Sequence, residues 1–348
     1  MGEAGFYAPA YAALALKQAA GSPEEAVFLL RAYRSTLARS CLSLPLDGAD
    51  MTLYRRISAA FKDIPGGQFL GASADYTHRL LNFDPPDEDR NGSPEKAAPG
   101  SGGSGESPDP AAGPIRARRV SEELRREGLL GAEEDDGEPW DITEKPLRFP
   151  APRSARLQTL ARSDTGYISG LAYAAIRGFG SGHPTVGELR TGTLEVHVPH
   201  PLIEGEILCV GDMVVTEVES FFSAEQQKSP AEEERDPLKI LSSGQGDKAD
   251  HSTNTLSLRA GYGLVFGRSD TKAIAMSILD YSLSCAENTG DTAGGGTSLL
   301  ENQEFVLLHG DCLEMNGFIS HLKLPHYVTF QSRLDRVRHT READHDRL

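Results

Sequence analysis

Two hydrophobic periods divide the chain. From Ser22 to Leu37 apolar residues return every three or four positions, so Ala26, Leu30, Tyr33 and Leu37 share one stripe of a helix while Arg31 and Arg34 lie off it. Its start is marked by Ser22-Pro23-Glu24-Glu25: a capping serine, a proline at the first helical position and a glutamate three residues after the cap. Met51 to Lys62 reads as a second helix closed by Pro65-Gly66-Gly67, and Asp75 to Leu81 as a short third one, which makes the first eighty or so residues mainly helical. Ser163-Asp164 predicts a capped helix through Arg177, with Ile168, Leu171, Ala172 and Ala175 on one face and Gly178 at its close.

Beyond the glycine-rich turn at 178–184 the period drops to two. Leu194, Val196 and Val198 alternate with Glu195 and His197, and 207–210, 213–218 and 262–266 are rich in strand formers. Ser269-Asp270 then predicts another helix, with Ile274, Ile278 and Tyr281 on one face. The fold class expected is α+β: a helical N-terminal region followed by a mixed sheet with helices, interrupted by long polar insertions.

Those insertions set the boundaries. Residues 1–83 form the mainly helical region. Residues 84–114, rich in Pro, Gly, Ser and acidic groups, read as a disordered and dispensable insertion, because they cannot bury enough apolar area to order themselves. Residues 115–332 form the mixed α+β catalytic and assembly region, with polar insertions at 223–256 and 285–300, and 333–348 form a charged, solvated tail.

Charge changes the picture only after it is located. The chain of 348 residues has a formal net charge of −16. Asp84 to Lys145 holds 17 acidic and 8 basic side chains and Ser223 to His251 holds 7 and 4, leaving only −4 for the rest. The balance argues against a nucleic-acid partner but leaves room for a local anion pocket. No apolar run approaches the roughly 20 residues of a bilayer span, and Met1 to Phe6 lacks a secretion-signal plan, so a cytoplasmic protein without membrane contact is expected. Cys41, Cys209, Cys285 and Cys312 form no CxxC pair and read as reduced, mostly packed thiols.

Several motifs carry candidate chemistry. His321-Leu322-Lys323-Leu324-Pro325-His326 sets two imidazoles five residues apart, about 140° apart on a helix. Pro325 favours instead a strand running into a turn where the rings converge, although the spacing alone fits two packed, hydrogen-bonded histidines as well. Arg259 to Gly267 is G-x-G-x-x-x-G, neither a dinucleotide fingerprint nor a Walker loop. Gly261, Gly263 and Gly267 are nevertheless phosphate-binding candidates because a capped helix follows; tight strand–helix packing is the competing explanation. Arg79, Arg177 and Arg190, beside glycine-rich or short helical turns, are candidates for bidentate phosphate contacts.

Long strings go further than motifs: LALKQA at 14–19, VFLLRAYR at 27–34, KDIPGGQFLG at 62–71, DYTHRLLNF at 75–83, Asp164 to Tyr173, RGFGSGHP at 177–184, RAGYGLVFG at 259–267 and GFISHLKLPHYVTFQ at 317–331. In these segments the chain resembles the family of subunit I (PhnI) of the carbon-phosphorus lyase core complex of phosphonate catabolism. Against that family, this chain lacks a stretch ahead of LALKQA, so a core face contributed by it is expected to be bare, and the polar insertions are unusually long.

The resemblance implies an enzyme that, with subunits G, H and L, displaces adenine from ATP by a phosphonate to give α-D-ribose 1-methylphosphonate 5-triphosphate, a transferase reaction. It implies purine ribonucleoside triphosphate nucleosidase activity when the subunit is alone. Implied partners are G, H, the radical S-adenosylmethionine iron–sulfur subunit J and the ATP-binding-cassette-like subunits K and L, with self-association to a dimer in the core. His321 and His326 are implied to hold a divalent metal, zinc by ligand type, completed by a partner, water or substrate; Lys323 between them would face phosphate oxygens. Glycosidic cleavage passes through an oxocarbenium-like state and needs a carboxylate near the ribose, for which Glu188, Glu217, Glu219 and Asp311 are the candidates, Glu217 and Glu219 sharing one strand face. The alternative is a non-catalytic scaffold that dimerises and docks the other subunits.

Overall fold

The computed structural model describes residues 1–71, 116–131, 137–179, 183–226, 255–288, 298–324 and 326–345. The expected helix at 75–81 with Arg79, the whole of the insertion at 84–114, most of the polar stretches at 223–256 and 285–300, and Pro325 lie outside these residues.

The architecture is α+β, as expected. A four-stranded sheet runs in the order β1 (Thr52–Ile57), β2 (Thr185–Pro199), β3 (Ile207–Gln226), β4 (Thr255–Phe266). Every neighbouring pair is antiparallel rather than mixed. Helix α1 (Pro9–Gln18) packs on α2 (Pro23–Ser35), whose cap is the expected one: Ser22 Oγ accepts from the Glu25 amide. Ala26 and Leu30 of the predicted stripe are buried beside Val27, whereas Tyr33 and Leu37 are exposed, Leu37 lying past the helix end.

The second helix expected at 51–62 is instead β1. Leu53, Ile57 and Phe61 give a four-residue repeat that suits a helix, but Thr52 to Ile57 pairs with Leu189 to Thr193 of β2, with a bulge at Tyr54. Tertiary pairing outweighs local period here. The consequence reaches the site, because β1 carries Arg55 and Arg56 into the protein, both buried.

One face of the sheet packs on α6 (Asp270–Asn288), with α4 (Arg153–Arg162) and α5 (Thr165–Ala174) beside it. Asp164 caps α5 through the Tyr167 amide, and Ile168, Ala172 and Ala175 are buried as expected. This core joins Leu189, Val218 and Val265 of the sheet to Met276, Leu279 and Leu283 of α6. Each such side chain contributes roughly 1.5–3 kcal/mol over leaving it exposed. Helix α6 approaches β4 so closely that a Cβ at Gly261 or Gly263 would fall 2.0 Å from the Ser277 carbonyl or 2.1 Å from that of Ala273.

The opposite face is covered by α3 (Val120–Arg126) and the segment leading into it, over two smaller apolar clusters around Phe221 and Val215. Helices α7 (Gln303–Leu308), α8 (Cys312–Ser320) and α9 (Tyr327–His345) close the chain. From Arg333 the chain is helical through His345, and most of its described side chains are exposed. Among the cysteines only Cys312 is buried; Cys41 and Cys209 are exposed, contrary to the expectation of packed thiols. No helix among the described residues is long and apolar enough to cross a membrane.

Candidate functional site

Between the two apolar clusters of the α3-covered face lies a band of buried charge. Its origin is strand register: Arg56 pairs with Arg190, Arg190 with Glu217, and Glu188 with Glu219, so all five side chains share one face. Like charges opposite one another are unfavourable, and the band resolves this diagonally. Arg56 Nε donates to Glu188 Oε1 at 2.6 Å, and Arg190 Nη1 stands 3.6 Å from Glu217 Oε2.

The covering segment completes the band. Arg119 Nη2 donates to Glu217 Oε1 at 2.6 Å, Ser121 Oγ donates to Glu219 Oε1 at 2.8 Å, and the Val120 amide donates to Glu188 Oε2 at 2.9 Å. From β4, Tyr262 Oη donates to Glu217 Oε1 at 2.8 Å. Glu188, Glu217 and Glu219 are 1%, 1% and 6% exposed. The structure thus brings together three of the four carboxylates expected from sequence, and adds Arg56, Arg119, Ser121 and Tyr262.

The electrostatics differ along the band. Burial, reinforced by the charges of Glu217 and Glu188 and opposed by Ser121 and Arg119, pushes the Glu219 carboxyl up to about 7. Burial and then the Glu217 charge raise the Tyr262 phenol well above its ordinary value. Burial works against the Arg119 charge, but Glu217 beside it holds the guanidinium above its usual range. Glu219 Oε2, Glu217 Oε2 and Arg190 Nε have no hydrogen-bond partner among the described residues. A carboxyl near neutrality with one free oxygen can give or take a proton.

The other expected residues lie elsewhere. Asp311 caps α8 through the amides of Leu313 and Glu314 and pairs with Arg31 at 2.7 Å, tying α8 to α2. Burial raises its carboxyl, but Arg31 and those amides bring it below the usual range. Arg190 sits mid-strand and sealed instead of beside a turn, donating to the Ala117 carbonyl. Arg177, in a π-helical turn after α5, stacks over the Tyr173 ring at 5.8 Å and is exposed. Gly261 and Gly263 face the α6 backbone, which occupies the space a phosphate would need. Gly267 ends β4 with φ 76°, its amide bonded to the Val214 carbonyl.

His321 and His326 do converge, with ring centroids 4.7 Å apart. The segment is not a strand: His321–Lys323 is a 3-10 turn between α8 and α9, and His326 sits just before α9. Both rings and Lys323 are exposed, and His326 Nε2 lies 3.4 Å from the His321 carbonyl oxygen.

Known proteins decide the family. Residues 1–344 match the family of bacterial phosphonate metabolism proteins, PhnI. The chain belongs to the PhnI family. It is 44% identical over 339 residues to the α-D-ribose 1-methylphosphonate 5-triphosphate synthase subunit PhnI of Escherichia coli K12, covering 96% of this chain and 83% of that one. A Rhizobium meliloti protein of the same name is 39% identical over 354 residues, covering 99% and 83%. The putative C-P lyase subunit protein HtxH of Stutzerimonas stutzeri is 42% identical over 342 residues, covering 98% and 83%.

Four members of the band carry no clear signal in the sequence, for identifiable reasons. Arg56 was hidden by the helical spacing around it. Arg119 and Ser121 follow a long polar stretch and show no period of their own. Tyr262 stood in the RAGYGLVFG string, where the glycines drew attention from the one residue that reaches Glu217.

Proposed function

We propose that this chain is a cytoplasmic subunit of the carbon-phosphorus lyase core complex that displaces adenine from ATP by a phosphonate, giving α-D-ribose 1-methylphosphonate 5-triphosphate from methylphosphonate together with subunits G, H and L. With water in place of the phosphonate, the chain alone acts as a purine ribonucleoside triphosphate nucleosidase. The observation that carries this reading is the match over 1–344, together with 44% identity to a chain named as that synthase's subunit.

The buried band suits the chemistry. A phosphonate oxygen forms the new bond to C1′ while the C1′–N bond breaks and its electron pair leaves with adenine, which takes up a proton. Glu219, with a carboxyl near 7, supplies that proton, and Glu217 opposes the positive charge that develops on the ribose. Arg119 and Ser121 lie over both carboxylates, so access runs past that segment.

Incubating the purified chain with ATP and separating the products tests this. Adenine and ribose 5-triphosphate are expected, with Glu219→Gln slowing release by about 100-fold or more. Formation of only ADP and phosphate, or release unchanged in Glu219→Gln, would overturn it.

A second role, assembly, is favoured by the surface from α8 into α9. Phe318, Ile319, Leu322, Tyr327 and Val328 are each more than half exposed and form an apolar run that a free surface rarely carries. We assign this surface to docking of partner subunits, J among them, with K, L and a second copy of this chain as further partners of the assembly. The two converging imidazoles fit half of a zinc shell: neutral ring nitrogens suit that ion, and no third described His, Cys, Asp or Glu groups with them. Bound there, a divalent metal would supply Lewis acidity and link this chain to its partner. Zinc content of the assembled complex is expected to fall in His321→Ala and His326→Ala; unchanged zinc in both returns the pair to hydrogen-bonded surface histidines.

A further inference from the structure

A second cluster of metal-ligating side chains lies on the outer half of the β2–β3 hairpin. One ligand atom each from Glu195, His197 and Cys209 lies within 4.8 Å of the other two, and Glu195 Oε2 is already 3.7 Å from His197 Nε2. We propose that Glu195, His197 and Cys209 form a zinc site, separate from the buried band and from His321 and His326.

Strand geometry builds the cluster. Glu195 and His197 are two apart on β2 and share a face. On β3 the residues facing them are Asp212 and Cys209, three apart, which simple alternation would set on opposite faces. A bulge between Val196 and His197 in the pairing restores Cys209 to the face of His197, its direct partner. Gly211 makes the bulge possible, with φ 143°, a conformation a side chain would strain. Bulges that re-aim one side chain occur at binding sites, and this one brings a thiol to an imidazole and a carboxylate.

Charge points the same way. Glu195 pairs directly across the strands with Asp212, two acids opposed, and neither makes an ion pair with a Lys or Arg among the described residues. A cation relieves that repulsion. The donor set then selects the ion: thiolate, imidazole and carboxylate together suit Zn2+, whereas Mg2+ and Ca2+ prefer oxygen alone. Three protein donors leave a fourth position open, and the exposure of Cys209 puts that position within reach of water or an incoming ligand atom. On binding, the Cys209 thiol gives its proton to solvent and the sulfur takes the metal.

The test uses the full chain carrying His321→Ala and His326→Ala, so that metal at the other pair does not contribute. Cobalt(II) is added as a spectroscopic stand-in for zinc, and zinc affinity is measured by competition with a chromophoric chelator. One equivalent of cobalt is expected to give a near-ultraviolet thiolate-to-metal charge-transfer band. Cys209→Ser should abolish the band and weaken zinc at least about tenfold, the loss that even an outer partner's removal causes. His197→Ala should weaken zinc likewise, and Gly211→Ala should weaken it without removing any donor. A band that survives Cys209→Ser, or no band and no zinc retained in the double-histidine background, overturns the proposal. Neither outcome bears on adenine release by Glu219.

Discussion

Arg56 and Glu188 meet at 2.6 Å with 0% and 1% of their side chains exposed, which makes them the most completely sealed ion pair among the described residues. Arg56 also donates to the carbonyls of Pro65, Gly67 and Arg118, and so holds the turn after β1 and the segment entering α3 against the sheet. Removing one partner of such a pair leaves a buried charge unmatched. Arg56→Met is therefore expected to destabilise the chain by about 3–5 kcal/mol, and adding Glu188→Gln should recover part of that loss. Urea denaturation of Arg56→Met, Glu188→Gln and the double variant measures both, and a double variant as unstable as the sum of its parts would show that the pair is not coupled.

A second tie fixes the first residues to α6. Lys272, buried, donates to Glu3 Oε1 at 2.5 Å and to the Ser163 carbonyl at 2.9 Å. Burial raises the Glu3 carboxyl, but Lys272, the Glu3 amide and Thr165 together hold the group below its ordinary 4.5. The folded state therefore binds this proton less readily than the unfolded chain, so the contribution is present above about pH 4.5 and is lost as pH falls through the folded value. Glu3→Gln should cost more at pH 7 than at pH 3; an equal loss at both would assign the effect to packing alone.

Legibility followed locality. Caps such as Ser22 and Asp164 and the two-residue alternation of β2 are settled within a few residues, and they stand where the chain alone places them. Glu217 and Glu219 share a face because alternation alone requires it. What could not be read is what depends on distant partners. Whether Thr52 to Ile57 is strand or helix is decided by β2, more than 130 residues on, and the partners of the carboxylates arrive from β1, β4 and α3. Arg190 and Gly263 have the composition of a phosphate site, and only tertiary packing shows one tied to Glu217 and the other pressed against α6.

That contact at Gly263 is itself testable. A Cβ there meets the Ala273 carbonyl at 2.1 Å, and backbone cannot swing away as a side chain could. Gly263→Ala should destabilise by about 1–3 kcal/mol through overpacking while leaving ATP affinity unchanged in the folded protein. If instead ATP binding is lost at unaltered stability, the glycine serves a phosphate.

The Glu219 carboxyl makes the sharpest prediction, because one shifted group controls both stability and the proposed chemistry. Its ordinary value is 4.5 and burial lifts it to about 7, so between these limits the folded state holds a proton that the unfolded chain has released. Raising pH through that window therefore withdraws stability: the favourable contribution is complete below about 4.5 and gone above about 7. At roughly 1.4 kcal/mol per pH unit, the step amounts to about 3 kcal/mol. Glutamine keeps an acceptor for Ser121 and cannot ionise, so Glu219→Gln should gain stability relative to the parent by about that amount between pH 4.5 and pH 8. Other titrating groups cancel in the comparison, which urea midpoints across the range would supply. The same variant should lose adenine release at every pH, while the parent's rate should fall as pH rises through about 7 and the proton donor is lost. Parallel stability curves for the two proteins would mean that Glu219 is already ionised in the fold, and a pH-independent rate in the parent would remove it from the proton transfer.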